Sequence, residues 1–264
     1  MTAPLLDVRR LGKRFEARAG RAQALWAIRE LSFGVGDAEF LTIIGPSGSG
    51  KSTLLNLIAQ IDAPTEGEIR FRDAVIAGPA SGPLRPGWGR QFGYVTQDDT
   101  LLPWRTLLDN VLFPLRVQGR LSAETRERAA GLMRAVGLDG FERYYPHELS
   151  GGMRKRAALI RTLVYDPPVI LMDEPFGALD AQTRMQLQAD LLRLWNLGRK
   201  TIVFVTHDIA EAIALGDRTL VFTRAPARVQ SEHRIAIGRP RDVRNIYVVD
   251  GFPETYERIR KELE

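Results

Sequence analysis

The 264-residue sequence contains no cysteine, which excludes disulfides, iron–sulfur clusters and cysteine-based zinc sites. No apolar run approaches the roughly 18 residues that a membrane-spanning helix needs. The opening residues, Met1-Thr2-Ala3-Pro4-Leu5-Leu6-Asp7, carry no basic-then-apolar signal pattern. Together these absences predict a soluble or peripheral protein. Internal repeats and low-complexity segments are also missing. Nor does one sign of charge form blocks. The net charge is +5, and Arg126, Arg128 and Arg134 alternate with Glu124 and Glu127 along a helical pattern. That balance permits nucleic acid or an anionic membrane face as a partner, but its plainer reading is a solvated surface. A hydrophobic content of 44% is enough for a sizeable core, in one large domain or two small ones.

What is present centres on Gly45-Pro46-Ser47-Gly48-Ser49-Gly50-Lys51-Ser52-Thr53, which fits G-x-x-x-x-G-K-[ST]. The apolar run 40–44 before it reads as a buried strand, and 54–59 after it as a helix. Glycines let the backbone curl so that successive N–H groups converge on a phosphate, and the helix start adds its positive dipole end. Lys51 can then reach the terminal phosphates, and Ser52 can offer a hydroxyl to Mg²⁺. By itself the loop says that a nucleoside triphosphate binds.

Around it, short apolar stretches at 5–8, 24–28 and 31–35 read as strands, and 66–72 as another. Residues 77–89, dense in Gly and Pro, read as a loop. A strand at 91–96 leads to Gln97. Ser122 can cap a helix that Gly137 ends, with Ala129, Leu132, Met133 and Val136 on one face. Further helices are expected from about 151 to 165, over 181–196 with Met185, Leu192 and Trp195 on one side, and from 253 to 264. Buried-strand patterns occupy 169–172, 201–205 and 218–222. Strands alternating with helices predict a largely parallel sheet.

Two of those strands end in chemistry. The first runs into Asp173-Glu174-Pro175. A carboxylate at a buried strand tip can hold a magnesium shell, here Asp173, and Glu174 can face the terminal phosphate and polarise a water. The second runs into His207, placed to face the γ-phosphate. Gln97, also at a strand end, can bridge metal and water through its amide. The segment Leu149-Ser150-Gly151-Gly152-Met153 opens a helix with a serine and two glycines, a second anion-binding terminus.

That last segment resembles the signature sequence of ATP-binding-cassette (ABC) ATPases, and the resemblance extends in order over almost the whole chain. It implies an α/β fold: a RecA-like P-loop NTPase core with a small antiparallel β subdomain and a helical signature subdomain. Residues 1–238 would form one ABC ATPase domain with the helical part inserted at about 98–165. Residues 239–264 would be a short tail with a helix and no regulatory domain. It implies ATP and Mg²⁺ as cofactors, with Ser52, Gln97 and Asp173 around the metal. Glu174, His207 and Gln97 would be catalytic, and Phe15 would stack on adenine. Ser150, Gly151 and Gly152 would meet the γ-phosphate of ATP held by a second copy, and Asp180, in the loop Ala178-Leu179-Asp180, would communicate across that dimer.

The segments Thr96-Gln97-Asp98-Asp99-Thr100-Leu101-Leu102-Pro103-Trp104-Arg105-Thr106 and 172–184 are similar to the nitrate/sulfonate/taurine branch of bacterial importers. Partners would then be a second ATPase subunit, transmembrane permease subunits and, indirectly, an external solute-binding protein. The chain would sit peripherally on the cytoplasmic face of the inner membrane, with no nucleic acid partner. Trp104 and Leu102 either line the groove that receives a permease helix or pack in the core. Met153, Gln60 and Ala38 depart from the family pattern, the last two at positions where glycine is usual. A soluble ABC-type ATPase acting on nucleic acid or ribosomes is the competing reading, and an exporter ATPase a third. The coiled-coil insertion, zinc cysteines or second cassette usual in the nucleic-acid group are missing.

Overall fold

The structure is a computed structural model that describes residues 3–16, 24–79, 88–177 and 179–264; of Leu197, only the backbone is described. Two sheets organise it. β1 (Leu6–Phe15), β2 (Leu25–Val35), β4 (Glu66–Phe71) and β5 (Ala74–Ala77) form an antiparallel sheet in the order β2-β1-β4-β5. The stretches 24–28 and 31–35 were expected as separate strands, yet they make one. The pairing with β1 absorbs the polar Arg29-Glu30 pair as a bulge, with Glu30 at φ 55°, and an answering bulge lies at Arg10, φ 44°.

The second sheet contains β3 (Phe40–Ile44), β6 (Phe92–Val95), β7 (Val169–Asp173), β8 (Thr201–Thr206), β9 (Arg218–Phe222) and β10 (Val229–Arg234), ordered β10-β9-β3-β8-β7-β6. All pairs are parallel except β9 with β10. The inner strands β3, β7 and β8 are buried along almost their whole length and apolar except for Thr42, Asp173, Thr201 and Thr206, because both faces are covered. Phe40 and Ile44 of β3, Met172 of β7 and Phe204 of β8 face one core; Leu41, Ile43, Leu171 and Val203 face the other. The first core holds the helices α2 (Leu107–Val117), α3 (Ala123–Ala135), α4 (Gly151–Leu163), α5 (Ala181–Gly198), α6 (Ile209–Leu215) and α7 (Phe252–Leu263). The second holds α1 (Lys51–Ile58) and the antiparallel sheet.

Helices α2, α3 and α4 fill the chain between β6 and β7. Ser122 caps α3, with Thr125 completing a reciprocal capping box. Four elements escape the sequence patterns. β5 is only four residues long and ends at Ala77, where a loop was expected. α2 contains Pro114, which usually marks a helix boundary; α6 has only seven residues, and β10 is mostly polar. In α5 the buried side carries Leu187, Leu191, Leu192 and Trp195, while Met185, expected with them, lies at a surface cleft instead. Trp104 is 71% exposed, so core packing is excluded for it, whereas Leu102 is half-buried. Of the loop expected at 77–89, residues 80–87 lie outside the described residues, as does Ala178.

Both departures from glycine keep the backbone that glycine would suit. Ala38 sits at φ 56° and Gln60 at φ 58°. Ala38 holds its turn through its N–H, which donates to Thr201 Oγ1 at 2.9 Å. Gln60, at the end of α1, is buried with an unpartnered side-chain Nε2.

Candidate active site

The loop between β3 and α1 takes its shape from its glycines. Gly48 and Gly50 have φ of 74° and 92°, and a Cβ on Gly50 would stand 2.8 Å from the Ala27 carbonyl of β2. No other residue fits there without moving that backbone. α1 has no side-chain cap at its N-terminus, so its first N–H groups are left for a ligand. Lys51 folds back across the loop, its Nζ donating to the Gly45 carbonyl at 2.8 Å and the Pro46 carbonyl at 3.0 Å. Burial lowers its pKa, partly offset by the charges of Glu174 and Asp173. An ammonium held this way is ready to exchange carbonyl oxygens for phosphate oxygens.

The parallel register brings the remaining groups to the same edge. Ile44 is level with Thr206, and Asp173 with Val205, so the strand tips end together. Ser52 Oγ donates to Asp173 Oδ1 at 3.0 Å. A hydroxyl and a carboxylate meeting in this way form a pair of hard oxygen donors, which suits Mg²⁺. Burial is the main force raising the Asp173 pKa, with the Glu174 charge adding to it and Ser52 and Lys51 opposing. Among the described residues no group of three or more His, Cys, Asp or Glu forms a cage. A cation here would therefore complete its shell with phosphate and water oxygens.

Glu174 and His207 come together across neighbouring strands: Nδ1 of His207 lies 3.0 Å from Glu174 Oε2. Glu174 adopts φ 43°, and its N–H donates to the Val205 carbonyl, which fixes its backbone against β8. Gln97 approaches the same place. Its Nε2 and Glu174 Oε2 lie 3.9 and 3.7 Å from the point where a Cβ on Gly177 would stand. No hydrogen bond joins the Gln97 amide to Ser52 or Asp173, however; Lys155 of α4 donates to its backbone carbonyl. Phe15 ends β1 with its ring 41% exposed and the Lys13 ammonium 5.2 Å from its centroid.

Ser150, Gly151, Gly152 and Asp180 are elsewhere. They line a cleft of about 700 Å³ together with Arg156, Met185, Gln186 and Arg244, and no residue of the 45–53 loop takes part. Ser150 caps α4 by accepting from the Met153 N–H at 3.2 Å, and Asp180 caps α5 by accepting from the Thr183 N–H at 2.9 Å. The Ser150 cap takes the Met153 N–H, and the N–H groups of Gly151 and Gly152 ahead of it in the first turn of α4 have no partner within the helix. Hydrogen bonds from the Thr183 N–H and side chain hold the Asp180 carboxyl below its ordinary range.

Several residues around the Glu174–His207 pair were not singled out from the sequence. Arg184 of α5 pairs with Asp208 at 3.5 Å, and Gln188, one turn on, donates to the buried Glu211 at 2.9 Å. Thr206 Oγ1 donates to the other Glu211 oxygen. Burial raises the Glu211 pKa against those two hydrogen bonds. This ladder ties the helix that Asp180 caps to the turn that carries His207. A signal existed: Asp208 followed three residues later by Glu211 is the pattern of a helix start, and Asp208 does cap α6.

A family model described as ABC transporter matches residues 28–177, more than half of the chain. The chain belongs to the ABC transporter family. An uncharacterized ABC transporter ATP-binding protein of Methanocaldococcus jannaschii is 46% identical over 237 residues, covering 90% of this chain and 84% of that protein. A taurine import ATP-binding protein of Ruegeria pomeroyi is 37% identical over 257 residues, covering 96% and 92%. Among solved structures, a dimeric ATP-binding cassette in a post-hydrolysis state bound to ADP and Pi superposes with a TM-score of 0.74 at 32% identity. It covers 88% of this chain and all of its own. As a member of this family, the ABC protein is an ATP-binding subunit with a P-loop NTPase fold, and its hydrolysis of ATP is linked to transport. No helix among its described residues is long and apolar enough to cross a membrane.

Proposed function

We propose that this subunit drives a bacterial importer by hydrolysing ATP at the interface between two copies arranged head to tail. The observation that carries this reading is the separation of two half-sites. Lys51, Ser52, Asp173, Glu174 and His207 meet at one sheet edge, while Ser150, Gly151 and Gly152 open a different cleft. A site with both walls then needs a second molecule, and the dimeric cassette structure is similar over its whole length. The helical segment at about 98–165 would carry the signature as a subdomain of a domain spanning 1–238, with 239–264 as a tail.

In the closed dimer the loop 45–53 holds the phosphates, Lys51 neutralises their charge, and Phe15 stacks on the base. Ser52 and Asp173, with Gln97, would hold Mg²⁺, which supplies charge neutralisation on the phosphate oxygens when bound. Glu174 orients and deprotonates the attacking water, and His207, held by Glu174, donates toward the γ-phosphate. Such a reaction needs mainly positioning and charge stabilisation. Asp180 passes the state of one site to the other. The relatives that import taurine favour a small anion of the nitrate/sulfonate/taurine type as solute. A permease on the inner face of the cell membrane and an external binding protein would complete the system.

The test is Glu174→Gln. It should abolish turnover while leaving a dimer that forms with ATP and is visible by gel filtration with light scattering. Normal hydrolysis by this variant would remove Glu174 from its role.

A further inference from the structure

The C-terminal segment does more than cover the sheet. Arg241 is buried and donates to the carbonyls of Ile213 at 2.8 Å and Gly216 at 2.6 Å, and Arg239 donates to Asp217 at 2.8 Å. These contacts clamp the segment to the end of α6, the helix that follows His207. Asp242 then accepts from the Arg244 N–H at 3.0 Å and from Asn245 at 2.7 Å, forming a fixed turn. Ile246 is buried beneath it. Val243 is buried with Ile246, which holds the segment in place and leaves Arg244, Tyr247 and Val248 exposed.

Arg244 Nη2 donates to Gln186 of α5 at 2.7 Å, a neutral amide, and Arg244 lines the cleft of Ser150, Gly151, Gly152 and Asp180. Three residues on, Tyr247 is 60% exposed and Val248 82% exposed. The Tyr247 ring packs edge-on against Phe252 of α7, with centroids 5.2 Å apart, which fixes it on the surface beside that helix. Residues 244–248 thus continue the surface of the Ser150 cleft outward, from Arg244 in its lining to the exposed Tyr247 and Val248. Exposed apolar side chains on a rigid turn, continuous with a surface that closes over a partner, have the character of interface residues.

We propose that residues 244–248 form a further part of the interface between two copies of this chain. Arg244 meets the negative charge of the nucleotide phosphates that the partner copy brings to the signature cleft, and Tyr247 and Val248 meet the partner's protein surface. This rests on the head-to-tail reading above. The C-terminal segment then senses closure directly, because its anchors lie on α6.

The experiment uses the full chain carrying Glu174→Gln, with ATP and Mg²⁺, and measures dimer dissociation by analytical ultracentrifugation. Adding Arg244→Glu or Val248→Asp should weaken the dimer by about tenfold or more. The melting temperature, and ATP binding measured at concentrations where the chain is monomeric, should stay at the parent values. Arg244→Lys should restore most of the loss. Parent-like dimerisation in both Arg244→Glu and Val248→Asp overturns this inference alone. Absence of an ATP-dependent dimer in the Glu174→Gln parent overturns the head-to-tail reading, and this inference with it.

Discussion

Replacing Asn110 with alanine should separate stability and permease docking from catalysis. Asn110 is fully buried on α2, and its amide ties down the preceding loop. Oδ1 accepts from the Leu102 N–H at 2.7 Å, and Nδ2 donates to the carbonyls of Leu102, Arg105 and Thr106 at 3.0–3.1 Å. Two of those carbonyls keep other partners, since Leu102 also accepts from Arg105 N–H and Thr106 from Asn110 N–H. The Leu102 N–H and the Arg105 carbonyl are left without partners in the alanine variant. At about 1–3 kcal/mol for each orphaned group, the loss should be about 3 kcal/mol, the loop being only half-buried. For a chain of this size that lowers the melting temperature by about 6–12 °C. Asn110→Asp should be worse than alanine, because a carboxylate would face three carbonyl oxygens. Urea denaturation followed by circular dichroism measures both. ATPase activity of the isolated chain should stay within about twofold below the new transition, since α2 lies outside the strand tips. Association with permease-bearing membranes should fall, because Trp104 stands on the loosened loop. Equal stability of Asn110→Asp and the parent would refute the hydrogen-bond assignment.

Other substitutions test other parts of the site. The folded-state pKa of Asp173 is raised, so the folded protein resists ionising it. Its contribution to stability is present at low pH and lost as pH rises through that value. Asp173→Asn should therefore raise the urea midpoint near neutral pH, gain nothing at about pH 3, and abolish Mg²⁺-dependent hydrolysis. Gly152→Ala would place a Cβ 2.8 Å from Thr183 Cγ2. It should cost about 1–3 kcal/mol and lower turnover, with both effects eased by the second change Thr183→Ser, which removes that methyl. Gln60→Gly relieves a left-handed backbone and a buried unpartnered amide, and should raise stability by about 1 kcal/mol in thermal unfolding.

How the candidate site is assembled follows from the order of its strands. β8 stands between β3 and β7, so the groups after β7 and β8 touch each other while the loop after β3 reaches back to Asp173. The α5–α6 ladder through Arg184, Asp208, Gln188 and Glu211 gives the Asp180 end of α5 a mechanical link to His207. Residues 184 and 188 are one helical turn apart, which sets both rungs on one face.

The sequence by itself determined the phosphate loop, the acidic strand end, the signature and the helix starts at Ser122 and Ser150. Each is a local matter: a glycine at positive φ, a side-chain oxygen reaching an N–H three residues on, an apolar run that must be buried on both faces. Neighbours in the chain are enough to write such features. Tertiary structure alone decided which of these local features meet. The contact of His207 with Glu174 depends on β7 lying beside β8. The loop bound by Asn110 depends on a helix that Pro114 disguises. The parting of Ser150 and Asp180 from Lys51 depends on where α4 and α5 are packed. Those distances are set by strand order and by burial of side chains far apart in the chain, which no pattern of adjacent residues carries.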